Sequence, residues 1–427
     1  MKVRERHETC ALFILHLCAH ELGRRCRSLL LRYWKEGCLV EEQVLTQTQE
    51  LGCERFQTEV VRRPQEFLAL ASEWNRLANE SAVDSMFLSH TWFQTWWESF
   101  GTGKELHIVT VRERGALRAV APMMRTRTPI YGLKLDTIQA IYNPHTPRYD
   151  FIVGGNQDGQ LYRAIWATLR SEEQADAIVL TQVPNASRTI SMIEELGKRD
   201  GWITGQWQSP SSPFISLVAG YEGFFNSLKS SSRYNLRKRY ERLKKQGIVD
   251  VEVVADVDQV SEAMADGLRI EAAAWKGKHG TAIISDPAVA EFYVRLAERE
   301  AELEQVRLTF LRVGAKRIAF NYLLQSEKKL YGVKIGYDPA YHMYSPGNML
   351  LNLILQQACG EGIEEYDFLG ADEEWKFEWT GKRREHRWLF LFRDRLPNRL
   401  LHRLKFNVAP ALKPWLKRLC TYLPGQV

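Results

Sequence analysis

The residues best suited to chemistry lie between Leu330 and Gly370, in LYGVKIGYDPAYHMYSPGNMLLNLILQQACGEGIEEYDFLG. A β-rich run enters a loop holding Pro339, Ser345, Pro346 and Gly347, a helix-forming run follows at once, and a second β-rich run closes the segment. Such a unit points helix N-terminal amides at the carboxyl end of the first strand. Those amides and the helix dipole favour an anion, typically a phosphate. Ser345, Gly347, Asn348 and Met349 would form that cradle. The competing reading is an ordinary turn, with Ser345 as N-cap and Pro346 in the first helical position. Just past Gly370 stand Asp372 and Glu373, where the chain can turn into a cleft. They suit proton removal from an amine or hydroxyl, or are solvated loop groups. Asp367 lies on the apolar second run, where a structural hydrogen bond is as natural as catalysis. Tyr337 and Tyr344 can supply a proton or simply pack. No G-x-S-x-G and no Cys/His nucleophile pattern occurs.

The elements that must hold this segment are legible from periodicity. Helices are predicted over 64–79, 91–100, 160–170, 186–199, 259–275, 287–302 and 348–359, and strands over 133–142, 149–153, 177–180, 202–207, 251–254, 329–337, 365–369 and 387–392. Two hairpins turn about Gly115 and Gly314. LHIVTVRERGALRAVAPMM from Leu106 can be laid over VRLTFLRVGAKRIAFNYLL from Val306. With similar surroundings, that match predicts an internal duplication in an α/β protein. The expected division is a leader at 1–55, domains at 56–220 and 221–395, and a basic amphipathic tail at 396–427.

The chain has 427 residues and a net charge of +6, a composition that excludes a disordered, collagenous or disulfide-stapled protein. The charge is uneven. Lys229–Lys245 holds eight basic residues against one acid, and Thr380–Arg418 twelve against two, so the remainder leans acidic. In the first segment Leu236, Tyr240 and Leu243 form one apolar stripe on an otherwise basic helix. That helix suits a phosphate-rich donor, tRNA, an anionic membrane or plain solvent. Seven cysteines without a CxxC pair read as reduced thiols, and no metal-ligand spacing occurs. Cys10–Ala19 follows a basic start but is too short to span a membrane and lacks a small-x-small cleavage site. The expected location is the cytoplasm, with the tail either touching a membrane peripherally or docked on the body.

Three phrases, FFNSLKSSSRYNLRKRYERLKKQG (Phe224–Gly247), YGVKIGYDPAYHMYSPGNMLL (Tyr331–Leu351) and YDFLGADEEWKFEW (Tyr366–Trp379), resemble the GNAT acyltransferases, and within them the CelD/BcsL-like branch linked to cellulose and other exopolysaccharide synthesis. That branch is also similar to the Fem-type aminoacyl transferases, which have two GNAT-like halves. The resemblance implies a tandem GNAT-like (acyl-CoA N-acyltransferase) fold, with mixed central sheets flanked by helices. It implies acyl-CoA beside strand 329–337, pyrophosphate on loop 342–348, and direct attack by an amine or hydroxyl of a small-molecule or saccharide acceptor. Donor contacts would fall to Lys334, Ser345, Gly347, Asn348 and Met349, with backbone amides near Lys334–Gly336 facing the oxyanion. Lys376 would match the family's aromatic-lysine element, and Trp275 the acceptor-side wall. Asp372, Glu373, Tyr337 and Asp367 are the candidate proton-transfer groups. The family's loop usually reads Arg/Gln-x-x-Gly-x-Gly/Ala. Here Tyr344–Met349 keeps one glycine, and Pro346 has no N–H. Aminoacyl-tRNA therefore stays open as donor, as does a non-catalytic scaffold.

Overall fold

The computed structural model describes residues 55–412, apart from 82–84, 131, 156–158 and 274–281. The predicted leader, Trp275 and the end of the tail lie outside the described residues.

Two tight turns set the plan. Each half carries a hairpin closed by a two-residue turn, Arg114–Gly115 in one and Gly314–Ala315 in the other, with both glycines at positive φ. The first half runs β1 (Phe56–Val61), α1 (Pro64–Ala69), α2 (Ala71–Glu80), α3 (His90–Phe100), the hairpin β2 (Glu105–Glu113) and β3 (Ala116–Ile130), β4 (Leu133–Ala140), β5 (Ile152–Val153), α4 (Gln160–Ser171), β6 (Ala177–Pro184), α5 (Thr189–Arg199) and β7 (Ile203–Gln208). The second runs β8 (Ser212–Ser216), α6 (Gly220–Ser227), α7 (Ser230–Lys244), β9 (Val249–Val254), α8 (Val257–Ala273), α9 (Pro287–Glu302), the hairpin β10 (Val306–Val313) and β11 (Lys316–Ser326), β12 (Lys329–Tyr337), α10 (Pro346–Gly360), β13 (Glu365–Asp367) and β14 (Arg383–Arg384). Then come β15 (His386–Phe392) and α11 (Leu396–Arg403).

The sheets repeat one pattern. Their orders are β1-β2-β3-β4-β6-β15-β7, with β5 on β3, and β9-β10-β11-β12-β13-β8-β14. In each, a crossover helix joins the two parallel neighbours, β4 to β6 and β12 to β13. Both hairpins also carry a β-bulge at the same step, between Val111 and Arg112 and between Leu311 and Arg312. A bulge in the same register of both hairpins is hard to reach independently, and it supports the duplication.

Two strands cross the boundary read at 220/221. β8 precedes it yet pairs with β13, and β15, inside the expected 221–395 domain, pairs with β6 and β7 of the first. Each sheet is therefore completed by chain from beyond its own half. A continuous core adds to the tie: Trp92 meets Phe292 at 5.4 Å and Phe87 meets Tyr331 at 5.1 Å, both edge-on. The first contact holds α3 against α9, where Arg299 also bonds Thr95 at 2.8 Å, and the second ties the turn before α3 to β12.

Two predicted features differ in form. The helix read over 64–79 is two helices, because Leu70 turns its N–H back to Phe67 at 3.1 Å so that Phe67 and Trp74 both enter the core. The basic C-terminal segment is partly spent on internal ties. Arg393 bonds the carbonyls of Ala175, Arg170 and Glu172, while Arg395 pairs with Asp176 and Arg399 with Asp394. Among the described residues no helix is long and apolar enough to cross a membrane.

His107 and His386 are each 1% exposed, and neither ring makes a hydrogen bond among the described residues, although His107 Nε2 lies 3.9 Å from a Glu172 carboxylate oxygen. Burial pushes both pKa values down, that of His386 to about 4, with the Arg148 charge adding to the effect. The unfolded chain takes up these protons near pH 6.5, whereas the native state refuses them until about pH 4. Stability should therefore fall as pH drops through that window. Urea denaturation should give a lower midpoint at pH 5 than at pH 7, with part of the drop removed in His386→Asn. Equal midpoints in the wild type would contradict the assignment.

Candidate active site

The site begins with a mismatch between two parallel strands. β13 pairs with β12 only from Lys329 to Tyr331 and stops at Asp367, while β12 runs on to Tyr337. Beyond Tyr331 no strand among the described residues covers that side of β12. In the first half the equivalent pairing is at Thr137–Gln139, the far end of β4, so β4 has no comparable uncovered stretch and it is β6 that runs on past the pairing. Val333 is the extra residue of a bulge against β11, which kinks β12 inside the open stretch. Gly336 is required here by a close approach: a Cβ would lie 2.6 Å from the Glu271 Cα, so α8 sits directly on the strand backbone.

Lys334 projects from this stretch, its Nζ 4.7 Å from the Tyr293 ring centroid. Burial lowers its pKa, and the nearby charges of Glu271 and Glu373 oppose that. Glu271 is 1% exposed and accepts from the Ile283 N–H at 3.1 Å.

The loop beyond β12 ends at Ser345, in the left-handed region with φ 50°, with Pro346 at the first position of α10. Ser345 occupies the N-cap position, but its hydroxyl does not cap the helix; it accepts from Arg239 of α7 at 2.7 Å. Arg242 lies 6.0 Å from the Tyr344 ring, so the basic helix runs beside the α10 N-terminus. Met349 spends its N–H on the Ser345 carbonyl at 3.0 Å and its side chain in the core. Helix geometry leaves the Gly347 and Asn348 amides as the donors of the first turn. Tyr337 packs near Gly347.

The expected proton-transfer groups separate by environment. Asp367 is fully buried. It accepts from Arg148, from Arg384 at 2.7 Å, from Ser212 at 3.1 Å and from the Leu369 N–H at 2.8 Å. Burial alone would raise its pKa, but the Arg148 and Arg384 charges win and hold it below the usual carboxylate range. Such a carboxylate is a joint, with its lone pairs engaged. Lys376 is 5% exposed and donates to the Leu369 and Ala371 carbonyls at 2.9 and 2.8 Å, with Glu373 3.1 Å away. It clamps the 369–373 turn from within. Asp372 accepts from Ser211 at 3.1 Å, and Glu373 stays half-exposed with Trp375 Nε1 at 3.3 Å. Three groups at this site carry no local sequence signal, His145, Arg148 and Tyr293, because they lie far along the chain from the strand or turn they meet. Arg239 belongs to the basic helix read as suited to a phosphate-rich donor, tRNA, a membrane or solvent, a reading that named no contact for it. Among the described residues no group of three or more His, Cys, Asp or Glu is arranged for a metal.

The duplicated α/β plan and the site at the end of β12 define a tandem GNAT-like protein. Residues 230–377, which hold α7, β12, α10, β13 and Lys376, match the model of the acetyltransferase (GNAT) domain family. The second half thus carries a GNAT acetyltransferase domain, and the protein is an acyltransferase by class. The crystal structure of FemX is similar with a TM-score of 0.54 and 13% identity, over 82% of this chain and 99% of that one. A conserved protein of unknown function from Bacteroides thetaiotaomicron VPI-5482 is similar with a TM-score of 0.50 and 10% identity, over 79% of this chain and 100% of that one. At these identities the likeness is one of fold. No curated protein matches the sequence.

Because Arg148 and Asp367 are a buried ion pair, removing either takes a close charge partner from the other. Asp367→Leu, which leaves two arginines without their shared carboxylate, should cost about 3–5 kcal/mol, and Arg148→Met less, since Arg384 still neutralises Asp367. The double variant should cost clearly less than the sum, read from a double-mutant cycle in urea. Strict additivity would deny the joint.

Proposed function

We propose that this protein moves an acetyl or other acyl group from acyl-CoA to an amine or hydroxyl of a small-molecule or saccharide acceptor. The proposed setting is polysaccharide or cell-envelope metabolism on the cytoplasmic side, as in the CelD/BcsL-like branch its phrases resemble. The observation that carries this reading is the divergence of β12 from β13, which leads to an α10 N-terminus flanked by Arg239.

Anion binding follows from what the loop lacks and what replaces it. Pro346 and the missing glycines remove amide donors, leaving Gly347 and Asn348. Arg239, with Arg242 beside it, supplies fixed positive charge at the same place. A pyrophosphate there would direct the thioester along the open stretch of β12. The kinked backbone at Val333 and the amides of Lys334–Gly336 would then face the carbonyl oxygen, where negative charge develops as the acceptor adds. Glu373 and Asp372, on the turn held by Lys376, would attract an amine or bind a hydroxyl. The acceptor's electron pair forms the new bond to the acyl carbon, and the sulfur leaves with its own pair.

The exposed bases Arg237, Lys238 and Lys244 on α7, with Lys245 just past its end, favour one rival donor, charged tRNA.

Calorimetric titration of the full chain with acetyl-CoA tests the choice. Micromolar binding is expected, and Arg239→Ala should weaken it by roughly 10- to 100-fold, the worth of a charge-assisted hydrogen bond. No heat with acetyl-CoA, together with steeply salt-dependent tRNA binding, would favour the rival.

A further inference from the structure

The loop between β4 and β5 leaves the first half and enters the site of the second. Two of its residues, His145 and Arg148, reach both limbs of the divergence. Arg148 pairs with Asp367 at the end of β13. His145 places Nδ1 3.1 Å from the Tyr293 hydroxyl, and the same tyrosine ring carries the Lys334 ammonium of β12. The imidazole is held on two sides, stacked on Phe100 at 6.2 Å and edge-on to Tyr293 at 5.7 Å. Its backbone N–H donates to Asn143 Oδ1 at 2.9 Å, which fixes the loop locally. Nε2 makes no hydrogen bond among the described residues, and the side chain is only partly buried.

We infer that His145, contributed by the first half, is the base that takes the proton from the acceptor during acyl transfer. This rests on the acyltransferase reading above. The tautomer required is the one in which Nδ1–H donates to the Tyr293 oxygen, which leaves the ring's lone pair on Nε2. The acceptor nitrogen or oxygen attacks the thioester carbonyl carbon, its N–H or O–H proton passes to Nε2, and the C–S bond breaks toward sulfur. The imidazolium then returns that proton to the thiolate, giving free thiol and acylated acceptor. The charged and titratable groups around the ring are Tyr293 and Asp286 at α9 and Lys334 on β12. Burial first, then the Lys334 charge, holds the His145 pKa at about 4 against the opposing Asp286, and burial keeps Tyr293 protonated. The imidazole is therefore neutral at pH 6–8, a base of carboxylate strength. Glu373 is less suited, being shared between Lys376 and Trp375.

The test follows thiol release from acetyl-CoA by the full chain with water alone, ethanolamine or glucosamine as acceptor, alongside calorimetric acetyl-CoA binding. His145→Ala and His145→Gln should bind acetyl-CoA within about twofold of wild type yet lose roughly 100-fold or more in kcat. Free imidazole should restore part of the His145→Ala loss. The wild-type acid limb should lie below pH 6 and be absent from His145→Gln. Wild-type turnover in both variants would overturn the assignment. So would a wild type that binds acetyl-CoA but releases thiol to none of the three acceptors. A wild type that does not bind acetyl-CoA at all would instead overturn the donor reading, and this inference with it.

Discussion

Asp367 is the point on which the two halves and the site all bear. It terminates β13, it is wholly buried, and it is neutralised from both sides, by Arg148 of the first half and Arg384 of the chain leading into β15. A buried carboxylate survives only if paired and hydrogen-bonded. Here Ser212 of the exchanged strand β8 and the Leu369 N–H complete its shell. One side chain thus fixes where β13 stops, how β8 lies against it, and where the turn carrying Asp372 and Glu373 begins. The early end of β13 is what lets β12 continue uncovered.

The halves share a plan but not a task. In the first, β4 and β6 pair at the far end of β4, so β4 lacks the uncovered stretch that β12 has. Its contribution is made through the loop after β4, which supplies Arg148 to the joint and His145 to the edge of the cleft. Two strands exchanged between sheets and a shared aromatic core keep that loop in register with its target.

Much of this was legible beforehand. The hairpins, the strand-loop-helix-strand unit and the duplication follow from local periodicity and turn residues, which report on neighbours a few positions away. Strand exchange was not legible, because β8 was not read as a strand at all, β15 looks like any short strand, and the partners of both are chosen by long-range pairing. The same limit applied within the site. Asp367 looked equally suited to catalysis or support until the two arginines were placed around it. Lys376 looked like a surface group or a ligand contact, but three short local interactions bury it. The basic helix α7 was readable as basic, but not that Arg239 would sit on Ser345 and make good the poor glycine loop.

The central claim is that the donor lies along the open stretch of β12 and on the first turn of α10, in the second half only. Hydrogen–deuterium exchange of the full chain with and without acetyl-CoA tests this most directly. The expected result is slowed exchange in 332–349, where the strand and helix amides would be covered, and no change over β4 and β6. Unchanged exchange in 332–349, or protection centred on the first half, would contradict the account.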